Sequence, residues 1–285
     1  MKDELLSLPG VGKRRAGMGM KMSQRNALTQ VQTLVIKVGT AVVTREDGRL
    51  ALARLGALVE SIRTLSSQGR RIVLVSSGSI GLGGSYLGID RPVAASDCPA
   101  AAAAGQSLLM EKYRQLFGHL DMRCAQVLVT EDDFADSARQ ANIAATLQRL
   151  LALDTIPIVN ENDAVTSAIK IEDKKGVFYD NDRLAGLTAE AIGAEALVIL
   201  SNVDALYTGP PQEPASEQIS VYEPNMRVQF GQSSHLGRGG MQSKLRAAVR
   251  SAQAGVSVVI ASGLRPEALQ RVVQGEDEGT FFPAR

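Results

Sequence analysis

Short runs of branched aliphatic residues alternate along the chain with longer stretches in which apolar side chains recur every three or four positions. Thr33-Leu-Val-Ile-Lys-Val38, Arg71-Ile-Val-Leu-Val75, Cys124-Ala-Gln-Val-Leu-Val129, Ile156-Pro-Ile-Val159, Ala196-Leu-Val-Ile-Leu200 and Val256-Ser-Val-Val-Ile260 have the length and composition of buried strands, and Thr280-Phe-Phe282 adds a last one. Between the first two, Leu52, Leu55, Leu58, Val59, Ile62 and Leu65 form a helical stripe stopped by Gly69. Helices are also predicted from Ala100 through Phe117, over Ser137–Leu153, from Asp180 to Ile192, after Gly240, and briefly from Pro266. Apolar strand runs without polar alternation belong to strands covered on both faces. The order therefore predicts an α/β fold: a mainly parallel sheet with helices on both sides.

Polar and glycine-rich residues gather where the predicted strands end. Asn160-Glu-Asn-Asp163 follows Val159 directly, and Asp180-Asn-Asp182 opens a helix. Two amides and two carboxylates in a row make a poor core but suit a small polar molecule held at the carboxyl edge of a parallel sheet, where open α/β folds bind ligands. Ser76-Ser-Gly-Ser-Ile-Gly-Leu-Gly-Gly84 and Gly237-Arg-Gly-Gly-Met-Gln-Ser-Lys244 are glycine-rich turns leading into helices, a context in which backbone N–H groups cradle phosphate. Neither has the Walker or the dinucleotide spacing. Lys37 interrupts an apolar strand, which is unfavourable unless its ammonium meets an anion.

Composition narrows the function. A net charge of +1 in 285 residues gives no footprint for nucleic acid or an anionic membrane, and aromatic content of 4% without Trp argues against base-stacking platforms. No apolar run approaches the ~20 residues of a membrane span. Cys98 and Cys124 stand apart, as reduced thiols of a cytoplasmic protein do. Residues 1–30, rich in Met, Gly and basic side chains, are expected to be a flexible extension, with one domain over 31–285. Of the two histidines, His119 falls just past a helix end and carries no expected role.

Two lysines, two glycine-rich turns and two amide–carboxylate clusters at strand ends and helix starts fit phosphoryl transfer. That chemistry asks for positive charge and backbone donors around the moving phosphate and little covalent participation. The chain also resembles the amino acid kinase family, and within it the branch acting on glutamate. The resemblance is carried by Val35-Ile-Lys-Val-Gly-Thr40, Val73-Leu-Val-Ser-Ser-Gly-Ser-Ile80, Ile158-Val-Asn-Glu-Asn-Asp-Ala164, Asp180-Asn-Asp182, Leu206-Tyr-Thr208, and Gly239-Gly-Met241 with Lys244.

The resemblance implies a three-layer αβα sandwich and ATP-dependent phosphorylation of the side-chain carboxylate of L-glutamate, the first step toward proline. It casts Lys37, Lys244 and Asp182 as catalytic, the carboxylate holding the lysines. Ser77, Gly78, Asn160, Asp163 and Asn181 would bind glutamate. Ser201, Asn202, Arg238, Gly239, Gly240, Met241, Gln242 and Ser243 would surround ATP together with Lys37 and Lys244. Mg²⁺ would ride on the ATP phosphates, with no residue assigned to a metal. Asn202 stands where the family generally has aspartate. Further expectations are proline as feedback inhibitor, acting at the glutamate pocket or at residues 165–179, and a homo-oligomer. Gly176–Asp180, Thr208–Pro211 and Leu236–Gly240 look like the kinase half of eukaryotic bifunctional members. A free-standing kinase is therefore expected, with glutamyl phosphate reductase as a separate protein.

Overall fold

The computed structural model describes residues 24–89, 93–165, 181–224, 226, 228 and 240–285. The strands are β1 (Thr33–Val38), β2 (Arg71–Ser76), β3 (Arg123–Val129), β4 (Thr155–Glu161), β5 (Ala196–Ser201), β6 (Leu206–Tyr207), β7 (Gln218–Ile219), β8 (Ser257–Ser262) and β9 (Thr280–Phe282). Seven of them form one sheet in the order β3-β4-β2-β1-β5-β8-β9. Neighbours are parallel throughout except for β9, which runs antiparallel to β8. The short β6–β7 pair is a separate antiparallel ribbon.

The helices are α1 (Thr40–Val43), α2 (Leu52–Ser67), α3 (Ser79–Leu87), α4 (Cys98–Gly118), α5 (Glu131–Ala135), α6 (Ser137–Ala152), α7 (Asn181–Ile192), α8 (Met241–Gln253) and α9 (Ala268–Val273). They divide between the two faces of the sheet, and strand periodicity explains how. Side chains along a strand alternate between faces. Leu34, Ile36 and Val38 of β1 join a core with Leu55 and Ile62 of α2, Leu109, Tyr113 and Phe117 of α4, and Leu269 of α9. Val35 joins the opposite core with Leu147 of α6, Leu184 and Ala189 of α7, and Ala248 of α8. Helices on both faces of a mainly parallel sheet form the three layers expected from the sequence. None of the described helices is long and apolar enough to cross a membrane.

Two boundaries differ from the sequence reading. The polar residues after Val159 predict the end of a strand there, yet β4 continues through Asn160 and Glu161, which pair with Leu128 and Val129 of β3. The ladder satisfies their backbone, so polar side chains do not stop the strand. The folded body also begins before residue 31. Residues 26–30 form a 3₁₀ turn, Leu28 is buried, and the Arg25 guanidinium donates to the carbonyls of Ser220, Glu276, Glu278 and Gly279. The segment joins the start of the described chain to the β9 end of the sheet, a contact between distant residues that no local pattern encodes.

Helices α3 and α4 cross in backbone contact. A Cβ on Gly83 would lie 1.8 Å from the Ala101 carbonyl oxygen, and one on Gly105 would lie 1.8 Å from the Ser79 carbonyl oxygen. Glycine at these positions lets α4 press on the first turn of α3. Gly105→Ala should therefore force the helices apart and destabilise the protein by about 1–3 kcal/mol or more, as overpacked cores do. Urea unfolding reads this directly, and an unchanged midpoint would contradict the backbone contact.

Candidate active site

Alternation along β1 places Lys37 on the same face as Val35, under α7 and α8. There its ammonium lies 2.6 Å from Oδ1 of Asp182, in the first turn of α7. Lys244, one turn into α8, donates to the other oxygen, Oδ2, at 2.9 Å. All three are buried, Asp182 completely. Burial alone pushes the Asp182 carboxyl up, but the Lys37 and Lys244 ammonium groups outweigh it and hold the group down at about 2. Asp182 is thus a carboxylate at neutral pH. Two ammonium groups are thereby gathered on one buried carboxylate, an arrangement suited to receiving an anion.

β1 lies at the centre of the sheet, where the chain leaves toward β2 on one side and returns to β5 on the other. The crevice at such a switch point is where open α/β sheets bind ligands. The turn after β2 contributes Ser77, buried, and Gly78, which caps α3 with φ of 105°. A side chain at Gly78 would be strained and would meet Val43 at 3.1 Å.

Asn181 ties this turn to β4. Its Nδ2 donates to the Ser76 carbonyl at 3.1 Å, to Ser77 Oγ at 2.7 Å and to Asn160 Oδ1 at 3.0 Å. Asn160 Oδ1 also accepts the Glu161 N–H, and its Nδ2 donates to Gln106 Oε1 on α4 at 2.8 Å. Asp163 sits half-buried in the turn that follows β4. Ser77, Asn160 and Asn181 therefore meet in one polar network, with Gly78 in the adjoining turn. Asn181 and Asp182 are consecutive, so this network and the lysine–carboxylate centre share the start of α7.

On the other side, Ser201 ends β5, buried, and donates to the exposed Asn202 at 3.3 Å. Gly240 caps α8 without a side-chain cap, and Met241, Gln242 and Ser243 form its first turn ahead of Lys244. Arg238 and Gly239 lie outside the described residues, as do Asp180 and nearly all of the 165–179 segment. Among the described residues no three His, Cys, Asp or Glu side chains group to hold a metal ion.

Three participants stand outside the site residues expected from the sequence. Gln106 accepts from Asn160, Tyr113 hydrogen-bonds Ser76 Oγ at 2.9 Å, and Ser76 itself adjoins the Ser77–Gly78 turn. A signal was present for Gln106. It lies in step with Ala102, Leu109, Tyr113 and Phe117, so a polar residue occupies the buried stripe of α4.

A model of the amino acid kinase family matches residues 32–262. The chain is 45% identical over 275 residues to a delta-1-pyrroline-5-carboxylate synthase of Solanum lycopersicum, covering 91% of this chain and 38% of that protein. It is 42% identical over 267 residues to a glutamate 5-kinase of Bifidobacterium adolescentis, covering 90% of this chain and 68% of that protein. The chain thus spans under two-fifths of the plant protein. In fold it is similar to a T. acidophilum isopentenyl phosphate kinase, with TM-score 0.60 and 16% identity over 88% of this chain and 99% of that one. A UMP kinase from Bacillus anthracis gives TM-score 0.57 and 15% identity over 89% and 96%.

The Asp182 carboxyl titrates lower in the folded chain than its ordinary value near 3.8. The stability it confers is therefore present above about pH 4 and is lost as pH falls toward about 2, roughly 2 kcal/mol in all. Asp182→Asn should flatten that acid limb in urea unfolding. At pH 7 it should cost about 3–5 kcal/mol, because two buried ammonium groups lose their counter-charge. An acid limb of the same slope in both proteins would disprove the assignment.

Proposed function

The chain belongs to the amino acid kinase family, and from that premise we propose that it transfers the γ-phosphoryl group of ATP to the side-chain carboxylate of free L-glutamate, yielding γ-glutamyl phosphate and ADP. The observation that carries the reading is the buried Lys37–Asp182–Lys244 centre joined, through Asn181, to a pocket of amides and hydroxyls.

In the reaction, one oxygen of the glutamate side chain attacks the γ-phosphorus, and the bond from that phosphorus to the β,γ-bridging oxygen breaks. A glutamate carboxyl has an ordinary pKa of about 4.3 and is already anionic at neutral pH. The nucleophile has no proton to lose, so no general base is required. The demand is for positive charge where phosphoryl oxygens gather it, and Lys37 and Lys244 supply this charge from a preorganised, dehydrated position. Asp182 keeps the two ammonium groups from separating. Ser77, the Gly78 turn, Asn160 and Asn181 receive the amino acid, and Asp163 pairs with its α-ammonium group. Ser201, Asn202 and the start of α8, with Arg238 and Gly239 before it, receive the nucleotide, whose phosphates meet uncapped first-turn N–H groups.

Mg²⁺ does not fit as a protein-held ion here, because the buried carboxylate of the centre faces two ammonium groups. A hard cation of this kind is left to the oxygens of the nucleotide phosphates. The proposal extends to proline, which would lower turnover in competition with glutamate, and to a homo-oligomer in the cytoplasm.

Glutamate-dependent ADP release, with the γ-glutamyl phosphate trapped by hydroxylamine as the hydroxamate, tests the reading against aspartate, acetylglutamate, carbamate and UMP as acceptors. Turnover of one of these in preference to glutamate would overturn it. Lys244→Met keeps side-chain length and removes the charge; kcat should fall by roughly 10²-fold or more while the KM for ATP moves less. A near-normal kcat would remove Lys244 from the chemistry. Asp163→Ala should raise the KM for glutamate by about 10- to 100-fold, the loss of one charge-assisted contact, and leave that for ATP within a few-fold. Equal rises in both would misplace Asp163.

A further inference from the structure

The amides of the pocket have their orientations fixed by backbone groups at two points. Asn181 reaches the Ser76 carbonyl, which can only accept, so the atom it offers is Nδ2. Asn160 receives the Glu161 N–H, which can only donate, so the atom it offers there is Oδ1. Its Nδ2 then points to Gln106, and Gln106 must answer with Oε1. The chain of constraints leaves Gln106 Nε2 as a donor. Gln106 is 8% exposed, and this nitrogen is buried with no acceptor among the described residues.

A buried donor without an acceptor is rare in folded proteins and calls for an explanation. Gln106 cannot easily withdraw from its position. The preceding residue is Gly105, where α4 presses on the backbone of Ser79 and Gly83. The side chains of its helical neighbours Ala101 to Ala104 offer no acceptor. The orphaned donor is therefore held rigidly beside the Ser77–Gly78 turn, as a preorganised binding group should be.

Position along the network selects the ligand group. The hydrogen bonds run from Gln106 to Asn160 to Asn181, and Asn181 adjoins Asp182 between the two lysines. The lysine end receives the reacting carboxylate and the phosphoryl group. Gln106 lies at the far end of the network, where the α-carbon end of the amino acid must lie. An amide N–H₂ is a donor and pairs with a carboxylate oxygen, not with an ammonium group. We propose that Gln106 Nε2 binds one oxygen of the acceptor's α-carboxylate and makes the site demand a free amino acid with that group ionised. The inference rests on the glutamate reading above.

Gln106→Glu separates this role from mere support of Asn160. The variant keeps an oxygen to accept from Asn160 Nδ2 and keeps the shape, but it replaces the donor with an acceptor. The KM for glutamate should rise at least tenfold with that for ATP within twofold and the unfolding midpoint little changed. Glutamate α-amide, which retains the reacting carboxylate, supplies the second measurement. Wild-type protein should favour glutamate over the α-amide in kcat/KM. Q106E should cut that preference at least tenfold, because the introduced side-chain carboxylate repels the α-carboxylate of glutamate and accepts from the α-amide. Should Q106E fail to fold, Gln106→Met, which removes the donor with little change in volume, should also reduce the preference by raising the glutamate KM alone. Wild-type turnover of glutamate with an unchanged preference in the variant overturns the Gln106 assignment and leaves the kinase reading intact. Wild-type protein with no glutamate-dependent turnover overturns both.

Discussion

One carboxylate, Asp182, binds two ammonium groups in the interior, and the carboxyl edge of the sheet is arranged around that constraint. Lys37 comes from the central strand, Asp182 from α7 and Lys244 from α8, so the ion triplet fastens three elements that are remote in sequence. Buried ion pairs contribute little net stability after desolvation. Two ammonium groups brought together in the interior suit the binding of an anion. Asp182 keeps that charge concentrated, while its own carboxyl is held down at about 2 by the same two ammonium groups. Stability and function therefore draw on one contact set: the carboxylate that fastens α7 and α8 to β1 also holds the two ammonium groups where a phosphoryl group would meet them.

The pleat divides the site into two halves. Lys37 shares a face with Val35 and meets α7 and α8, whereas Ser76 and Asn160 continue the alternation of Leu74 and Ile158 toward α4. A single strand register thus sends cationic groups to one side and amide or hydroxyl groups to the other. Asn181 spans the edge between them, bonded to Ser76, Ser77 and Asn160 while its neighbour Asp182 holds the lysines. An acceptor with a reacting carboxylate at one end and polar groups at the other matches this division.

What the sequence disclosed follows the same logic. Lys37 was legible because a charge inside an apolar run violates local expectation, and Asn160 and Asn181 because amides cluster where a strand should give way to a turn. The layer arrangement followed from uninterrupted aliphatic runs alternating with helical stripes. Gln106 was harder to read: it falls on the buried stripe of α4, but in an alanine-rich helix that stripe is faint, and the contact with Asn160 gives the residue its place. The continuation of β4 through Glu161 was hidden because strand ends depend on how far the partner β3 reaches, which one segment's composition does not encode. Arg25 looked like part of a basic tail, whereas four backbone carbonyls from residues about two hundred positions or more away receive it.

The described residues of the site include no histidine, and the proposed reaction requires none. A carboxylate acceptor arrives deprotonated, and the leaving phosphate of ADP departs as an anion, so no proton need be placed or removed in the transfer step. Catalysis then depends on charge and distance alone, and distance is set by backbone. That is why the least adjustable contacts in the structure, Gly105 against Ser79 and Gly83 against Ala101, stand directly behind the turn that receives the acceptor. A base could tolerate some latitude through its own rotamers. Two fixed cations and a closely packed turn have little latitude, and the chain provides none at these glycines, where even a methyl group has no room.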